Sequence, residues 1–281
     1  MKFSLLGPLE VRVSGHPVPL RGINQRATLG FLLLNANQVV ATSRLIEALW
    51  GIDAPATSRK MVQNAASGLR RLIAEHGGSR KATELITRSP GYLLSVPEDS
   101  IDLYAFQRLS KQGRAELAAG SWESAAVSLR EALALWRGPV LSDLAETGIN
   151  WPDLSALEST RRAVVEDLYE AELCLGRHHE LVGELEAIVD AEPDRERLCG
   201  QLMLALYRCG RQREALMVYH RTRKVLHTEF GLEPGRALQD LEHKILNHHP
   251  SLALDRPAAT VPVPVPATNP APSVAPEPVT R

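Results

Sequence analysis

Apolar and polar positions fall into three successive patterns along the chain. Phe3 to Val13 is rich in β-forming residues but alternates poorly, Gly15-His16 signals a turn, and Val18-Pro19-Leu20 reads as a second short strand. A small antiparallel sheet is therefore predicted at the start. The spacing then becomes helical. Ala27, Leu29, Phe31, Leu32 and Leu33 share one helix, with Asn24 as its N-cap. After Asn35-Ala36-Asn37, Val39-Val40 is a short apolar stop. Thr42 or Ser43 caps a second helix, Arg44 to Trp50, with Gly51 just past its end. Pro55 and Thr57 open a third, which runs to about Ala74 and stops at Gly77-Gly78, where glycine supplies the left-handed backbone of a helix exit.

The third helix separates its residues cleanly. At about 100° per residue, Arg59, Lys60, Gln63, Asn64, Ser67, Arg70 and Arg71 occupy one arc, and Val62, Ala65, Leu69, Leu72 and Ile73 the opposite one. The apolar arc can pack on the first two helices. The polar arc carries four cations and two amides and no acid. Arginine and lysine neutralise phosphates or reach guanine acceptors, and Gln or Asn can bind adenine with two hydrogen bonds. A solvated helix surface is the competing reading, but such surfaces normally mix signs. The connection from Gly51 to Ala56 is longer than the turn of a simple helix-turn-helix. Ser79-Arg80-Lys81 follows the helix. Then come Glu84–Arg88, the turn Ser89-Pro90-Gly91, and Tyr92–Val96, which together predict a hairpin. A hairpin placed directly after a basic helix makes a wing, with Arg88 at its tip near a DNA backbone or minor groove.

From Asp102 to Asn247 the chain reads as helices almost throughout. Leu168, Gly176, Arg177 and Glu180 recur 34 residues later as Leu202, Gly210, Arg211 and Glu214. An earlier copy is Gly120-Ser121-Trp122-Glu123-Ser124-Ala125, and each copy places Ala or Leu five residues after its glycine: Ala125, Leu181, Ala215. That period is the signature of tetratricopeptide-like helical pairs, which stack into an array able to dock partners. Breaks at Trp136-Arg137-Gly138-Pro139 and Gly231-Leu232-Glu233-Pro234-Gly235 make the array irregular. An unrelated helical bundle is the alternative.

Charge sharpens the division. The 281 residues have a net charge of −1. Yet residues 1–97 hold 12 Lys/Arg against 5 Asp/Glu, residues 98–250 hold 18 against 26, and the remainder two of each. A basic front joined to an acidic middle suggests a polyanion-binding module coupled to something else. Between Pro257 and Arg281 there are 8 prolines in 25 residues, so neither helix nor sheet can propagate and a disordered tail or linker is expected.

Other chemistry finds little support. Three scattered cysteines, Cys174, Cys199 and Cys209, form no C-x-x-C pair and are read as small core residues of helices, which argues against disulfides or structural zinc. His178-His179-Glu180 and His248-His249 are read as solvated surface, because adjacent helical histidines point about 100° apart. No phosphate-binding glycine loop, dinucleotide fingerprint or nucleophile elbow occurs. No enzyme activity, cofactor or metal is therefore expected. The absence of an apolar leader or of an 18-residue apolar run predicts a cytoplasmic protein with no membrane partner.

Several blocks resemble the Streptomyces antibiotic regulatory protein (SARP) family. Leu5-Leu6-Gly7-Pro8-Leu9-Glu10-Val11, Gln25-Arg26-Ala27 and Arg44-Leu45-Ile46-Glu47-Ala48-Leu49-Trp50-Gly51 are similar to its opening strand and first helices. Leu69-Arg70-Arg71-Leu72 and Pro90-Gly91-Tyr92 resemble its recognition helix and wing. Ala132-Leu133-Ala134-Leu135-Trp136-Arg137-Gly138-Pro139 and Phe230-Gly231-Leu232-Glu233-Pro234 resemble its activation domain. The resemblance implies an α+β, OmpR-like winged helix-turn-helix over 1–97, an all-α tetratricopeptide-like bacterial transcriptional activation domain over 98–250, and a Pro-rich tail or linker over 251–281. It implies DNA contacts by Arg59, Lys60, Gln63, Asn64, Arg70, Arg71 and Arg88, with Ser67 on the same arc. It further implies an activator of antibiotic or other secondary-metabolite clusters that binds direct repeats in double-stranded DNA, self-associates on tandem sites, and recruits RNA polymerase through its sigma factor. The small residues of Asn64-Ala65-Ala66-Ser67-Gly68 depart from many relatives and put the sequence preference in doubt. Two alternatives remain: the front part of a larger regulator with an ATPase module, and a protein-binding scaffold.

Overall fold

The computed structural model describes residues 1–76 and 83–253; the Gly77-Gly78 stop, Ser79-Arg80-Lys81 and the Pro-rich tail lie outside them. Two small sheets and three helices form the front of the chain. β1 (Lys2–Ser4), β2 (Glu10–Val13) and β3 (His16–Pro17) pair antiparallel in that order. The third strand falls one step before the expected Val18-Pro19-Leu20. Pro19 has no N–H to donate, and pairing ends with Val18 N–H on the Val11 carbonyl at 2.8 Å.

α1 (Gly22–Leu34) begins two residues before its expected cap Asn24. No side chain of the preceding residue closes it; instead Gln25 reaches back and its Oε1 accepts the Arg21 N–H at 2.6 Å. β4 (Val39–Ala41) follows, then α2 (Thr42–Trp50). Thr42 is the first helical residue rather than the cap. Its N–H and hydroxyl both donate to the Pro90 carbonyl, at 3.2 and 3.3 Å. α3 (Ser58–His76) buries Val62, Ala65, Ala66, Leu69 and Leu72 against α1 and α2. β5 (Glu84–Arg88) and β6 (Gly91–Ser95) form the hairpin, and β4 joins it as an edge, giving the order β4-β6-β5. Val39-Val40 is thus a strand rather than a mere stop: Val40 pairs with Tyr92 and Ala41 with Gly91. A Cβ at Gly91 would lie 1.9 Å from the Val40 carbonyl oxygen, so only glycine admits this approach.

The rest is helical: α4 (Asp102–Ala118), α5 (Trp122–Ala134), the one-turn α6 (Ser142–Ala145), α7 (Pro152–Cys174), α8 (His178–Ala191), α9 (Glu196–Arg208), α10 (Gln212–Val225) and α11 (Arg236–Leu246). The three repeated turns share one geometry. Gly120, Gly176 and Gly210 have φ of 74°, 80° and 76°. In each, the next residue's N–H returns to the carbonyl five residues earlier: Ser121 to Glu116, Arg177 to Glu172, Arg211 to Leu206. This six-to-one bond is the Schellman closure that a left-handed glycine permits. Ala125, Leu181 and Ala215 are buried, as their spacing after the glycine predicts.

The hydrophobic cores do not separate at residues 97 and 98. One core runs from Phe3 through α1–α3 and the hairpin into α4, α5, α6 and along α7 as far as Ala171. A second, from Tyr169 to Leu252, fills α8–α11. Polar contacts fasten the front to the helices. Asp102 accepts the N–H groups of Leu5 at 2.8 Å and Leu6 at 3.2 Å. Burial pushes its carboxyl pKa up, while those two N–H bonds oppose the rise. Asp143 accepts from Leu9 N at 2.7 Å and Arg26 Nε at 2.8 Å. Trp151 donates its indole N–H to the Ala48 carbonyl at 2.8 Å and meets Phe31 edge-on, with ring centroids 5.1 Å apart.

Candidate nucleic-acid interface

The apolar arc of α3 is fixed by burial, which orients the opposite arc outward. Arg59, Lys60, Gln63, Asn64, Ser67 and Arg71 are all exposed. Among the described residues, no protein side chain pairs with any of these six or with Arg88. Several arginines of the helical part are instead engaged by carboxylates. Arg114 binds Asp167, Arg130 and Arg177 bind Glu172, Arg195 binds Glu166, Arg211 binds Glu186 and Glu214, Arg221 binds Asp190 and Arg223 binds Glu233. Cations held apart from every carboxylate keep their full field for an external anion.

Arg70 departs from its neighbours. It is half-buried, its Nε donates to the Leu85 carbonyl at 2.9 Å and its Nη2 to Thr87 Oγ1 at 2.5 Å, and its guanidinium lies 5.7 Å from the Tyr92 ring centroid. The wheel placed it with the DNA-facing cations. The structure gives it the task of tying α3 to β5 and β6, which sets the angle between helix and wing. Arg88 ends β5 and pairs across the turn with Gly91, so it stands at the wing tip as the sequence indicated.

One cation escaped the sequence reading. Arg21, exposed at the N-terminus of α1, borders a depression of about 300 Å³ with Asn24, Asn64 and Arg71. A basic residue just before a helix, whose N-terminal N–H groups already favour anions, was the available signal. Cys199 is buried as expected, but Cys174 is exposed and Cys209 only half-buried. Nor are His178 and His179 merely solvated: Cys209 Sγ lies 3.3 Å from His179 Nδ1.

Residues 17–94 match the family described as transcriptional regulatory protein, C terminal, and residues 101–246 match the bacterial transcriptional activator domain. The chain is 36% identical over 267 residues to the regulatory protein DnrI of Streptomyces peucetius, covering 93% of this chain and 97% of that protein. It is 37% identical over 250 residues to the transcriptional regulatory protein EmbR of Mycobacterium tuberculosis, covering 89% of this chain but 64% of EmbR. It is also 36% identical to AfsR of Streptomyces coelicolor, covering 90% of this chain and 25% of that protein. The solved structure of Mycobacterium tuberculosis EmbR in complex with a low-affinity phosphopeptide superposes with a TM-score of 0.83 over 89% of this chain and 65% of that one. These relatives are regulatory proteins, and among the described residues no helix is long and apolar enough to cross a membrane. An α/β winged-helix-like front, an activator-domain helical body and relatives on both place the chain in the SARP family of transcriptional activators.

Proposed function

We propose that this protein is a sequence-specific DNA-binding activator that occupies direct repeats at promoters and recruits RNA polymerase, including its sigma factor. The regulated genes are then a cluster for an antibiotic or another secondary metabolite. In this reading residues 1–97 read DNA, residues 98–250 contact the polymerase and the adjacent copy, and residues 251–281 are a tail or linker. α3 enters the major groove. Arg59, Lys60 and Arg71 contact phosphates, and Gln63, Asn64 and Ser67 reach base edges. Arg88 follows the neighbouring backbone from the wing, and Arg21 adds a phosphate contact. Arg70 acts indirectly, by holding the wing. The observation that carries this reading is the outward arc of α3, whose exposed Arg59, Lys60 and Arg71 have no carboxylate partner among the described residues and stand beside Gln63, Asn64 and Ser67.

Footprinting on promoter fragments of neighbouring genes, with affinity followed against salt, tests the proposal. A discrete footprint over direct repeats supports it. Five cations, each neutralising one phosphate, give a log–log salt slope of about −4 to −5. A salt-sensitive smear without a footprint overturns it and favours a scaffold. That second reading has its own support: a groove of about 380 Å³ between α7, α9 and α11, lined by Leu173, Gly200, Leu204, Leu238 and Leu241. Because the chain spans 25% of AfsR, the same DNA-binding role also fits the front part of a larger regulator, one with an ATPase module.

A further inference from the structure

Two successive repeat turns bring imidazole and thiol groups together. His178 and His179 open α8, directly after the Gly176-Arg177 turn. Cys209 caps the C-terminus of α9, directly before the Gly210-Arg211 turn. Stacking of the repeats places Cys209 Sγ 3.3 Å from His179 Nδ1. One ligating atom from each of His178, His179 and Cys209 lies within 4.8 Å of the other two. His178 Nδ1 is buried with no hydrogen-bond partner, and its ring faces a cavity of about 530 Å³ shared with Tyr207 and His248.

Such a donor set has a definite preference. Thiolate sulfur and imidazole nitrogen suit zinc-class cations, whereas calcium and magnesium take oxygen. In a tetrahedral site with metal–sulfur and metal–nitrogen distances of about 2.3 and 2.0–2.1 Å, adjacent donors lie roughly 3.3–3.6 Å apart. Cys209 and His179 already stand at that separation, and the donor atom of His178 lies within 4.8 Å of both. Of the two nearby arginines only Arg211 has its charge offset by carboxylates. Arg208 donates to the Leu252 and Leu173 carbonyls, and Arg211 pairs with Glu186 and Glu214.

We propose that His178, His179 and Cys209 bind one zinc-class divalent cation, with water in the fourth position, and so clasp two successive helical repeats at their turns. The metal–thiolate bond forms as the Cys209 thiol proton passes to solvent. The function is a strut within the array, independent of DNA recognition. The expectation of no metal drawn from the sequence treated the two histidines as residues of one ideal helix.

The test uses the full chain, free of affinity tags and stripped with chelator, titrated with Co2+ alone and then with Zn2+ alone. One Co2+ per chain is expected, with a near-ultraviolet thiolate-to-cobalt band that one equivalent of Zn2+ bleaches. Cys209→Ser removes the band, whereas Cys174→Ser, whose thiol lies outside the cluster, leaves it intact. His179→Ala, at an exposed position, weakens Co2+ at least roughly tenfold. Absence of the band, its survival in Cys209→Ser, or unchanged affinity in His179→Ala overturns the proposal.

Discussion

Arg70 and Arg71 are adjacent and carry the same charge, yet one holds the protein to itself and the other faces outward. Replacing them should therefore give different results. Arg71→Ala should leave stability within about 0.5 kcal/mol and flatten the salt slope of DNA binding by about 0.9. Arg70→Ala leaves the Leu85 carbonyl and Thr87 without their donor, and should lower unfolding free energy by about 1–2 kcal/mol. Urea denaturation beside a salt series distinguishes the two, and equal stability of both variants would remove the wing-holding role. A helical wheel assigns direction but not partners. Both arginines share the polar arc, and the groups that engage Arg70 lie 15 and 17 residues away in sequence. Gly91 is a second position that only the fold explains. Gly91→Ala drives a methyl into the Val40 carbonyl, and about 3 kcal/mol of destabilisation is expected in the same assay.

Elements whose cause is local were readable from the chain. The repeat turns are closed by a left-handed glycine and a bond five residues back, so their spacing alone located them. The exposed and buried faces of α3 likewise follow from periodicity. The elements that escaped have distant causes. β4 has three residues and exists because β6 pairs with it. Helix α2 begins where the wing turn accepts its first N–H, rather than where a side chain caps it. The junction carboxylates Asp102 and Asp143 bind N–H groups 97 and 134 residues away in sequence, beyond any local pattern. Trp151 offers a direct measure of that junction. Trp151→Phe keeps an aromatic against Phe31 but leaves the Ala48 carbonyl unpaired, a loss of about 1 kcal/mol. Trp151→Ala opens a cavity between the two parts, and about 3–5 kcal/mol is expected by thermal or chemical unfolding.

The charge division near residue 97 and the division of the cores, inside α7, do not coincide. Charge follows the surface each part presents, whereas the core follows what it packs against. A fragment ending at residue 97 would expose Leu5, Leu6 and Phe31 where the helices now cover them. Its denaturation midpoint should fall below that of the full chain, and an equal midpoint would show the front to be self-sufficient. With the shared core, two carboxylate ties and an indole bond at the junction, the helical body cannot swing independently of α3. If the proposed direct repeats are occupied by adjacent copies, this turns a structural joint into a question of phase. The duplex rotates once in about 10–10.5 base pairs, so repeats a whole turn apart present both bodies on one side. Adding about 5 base pairs between repeats should carry the second body to the opposite side and abolish cooperative binding. Adding about 10 should restore much of it. For a rigid protein the spacing of its sites acts as a clock face, and only certain hours let neighbouring copies touch.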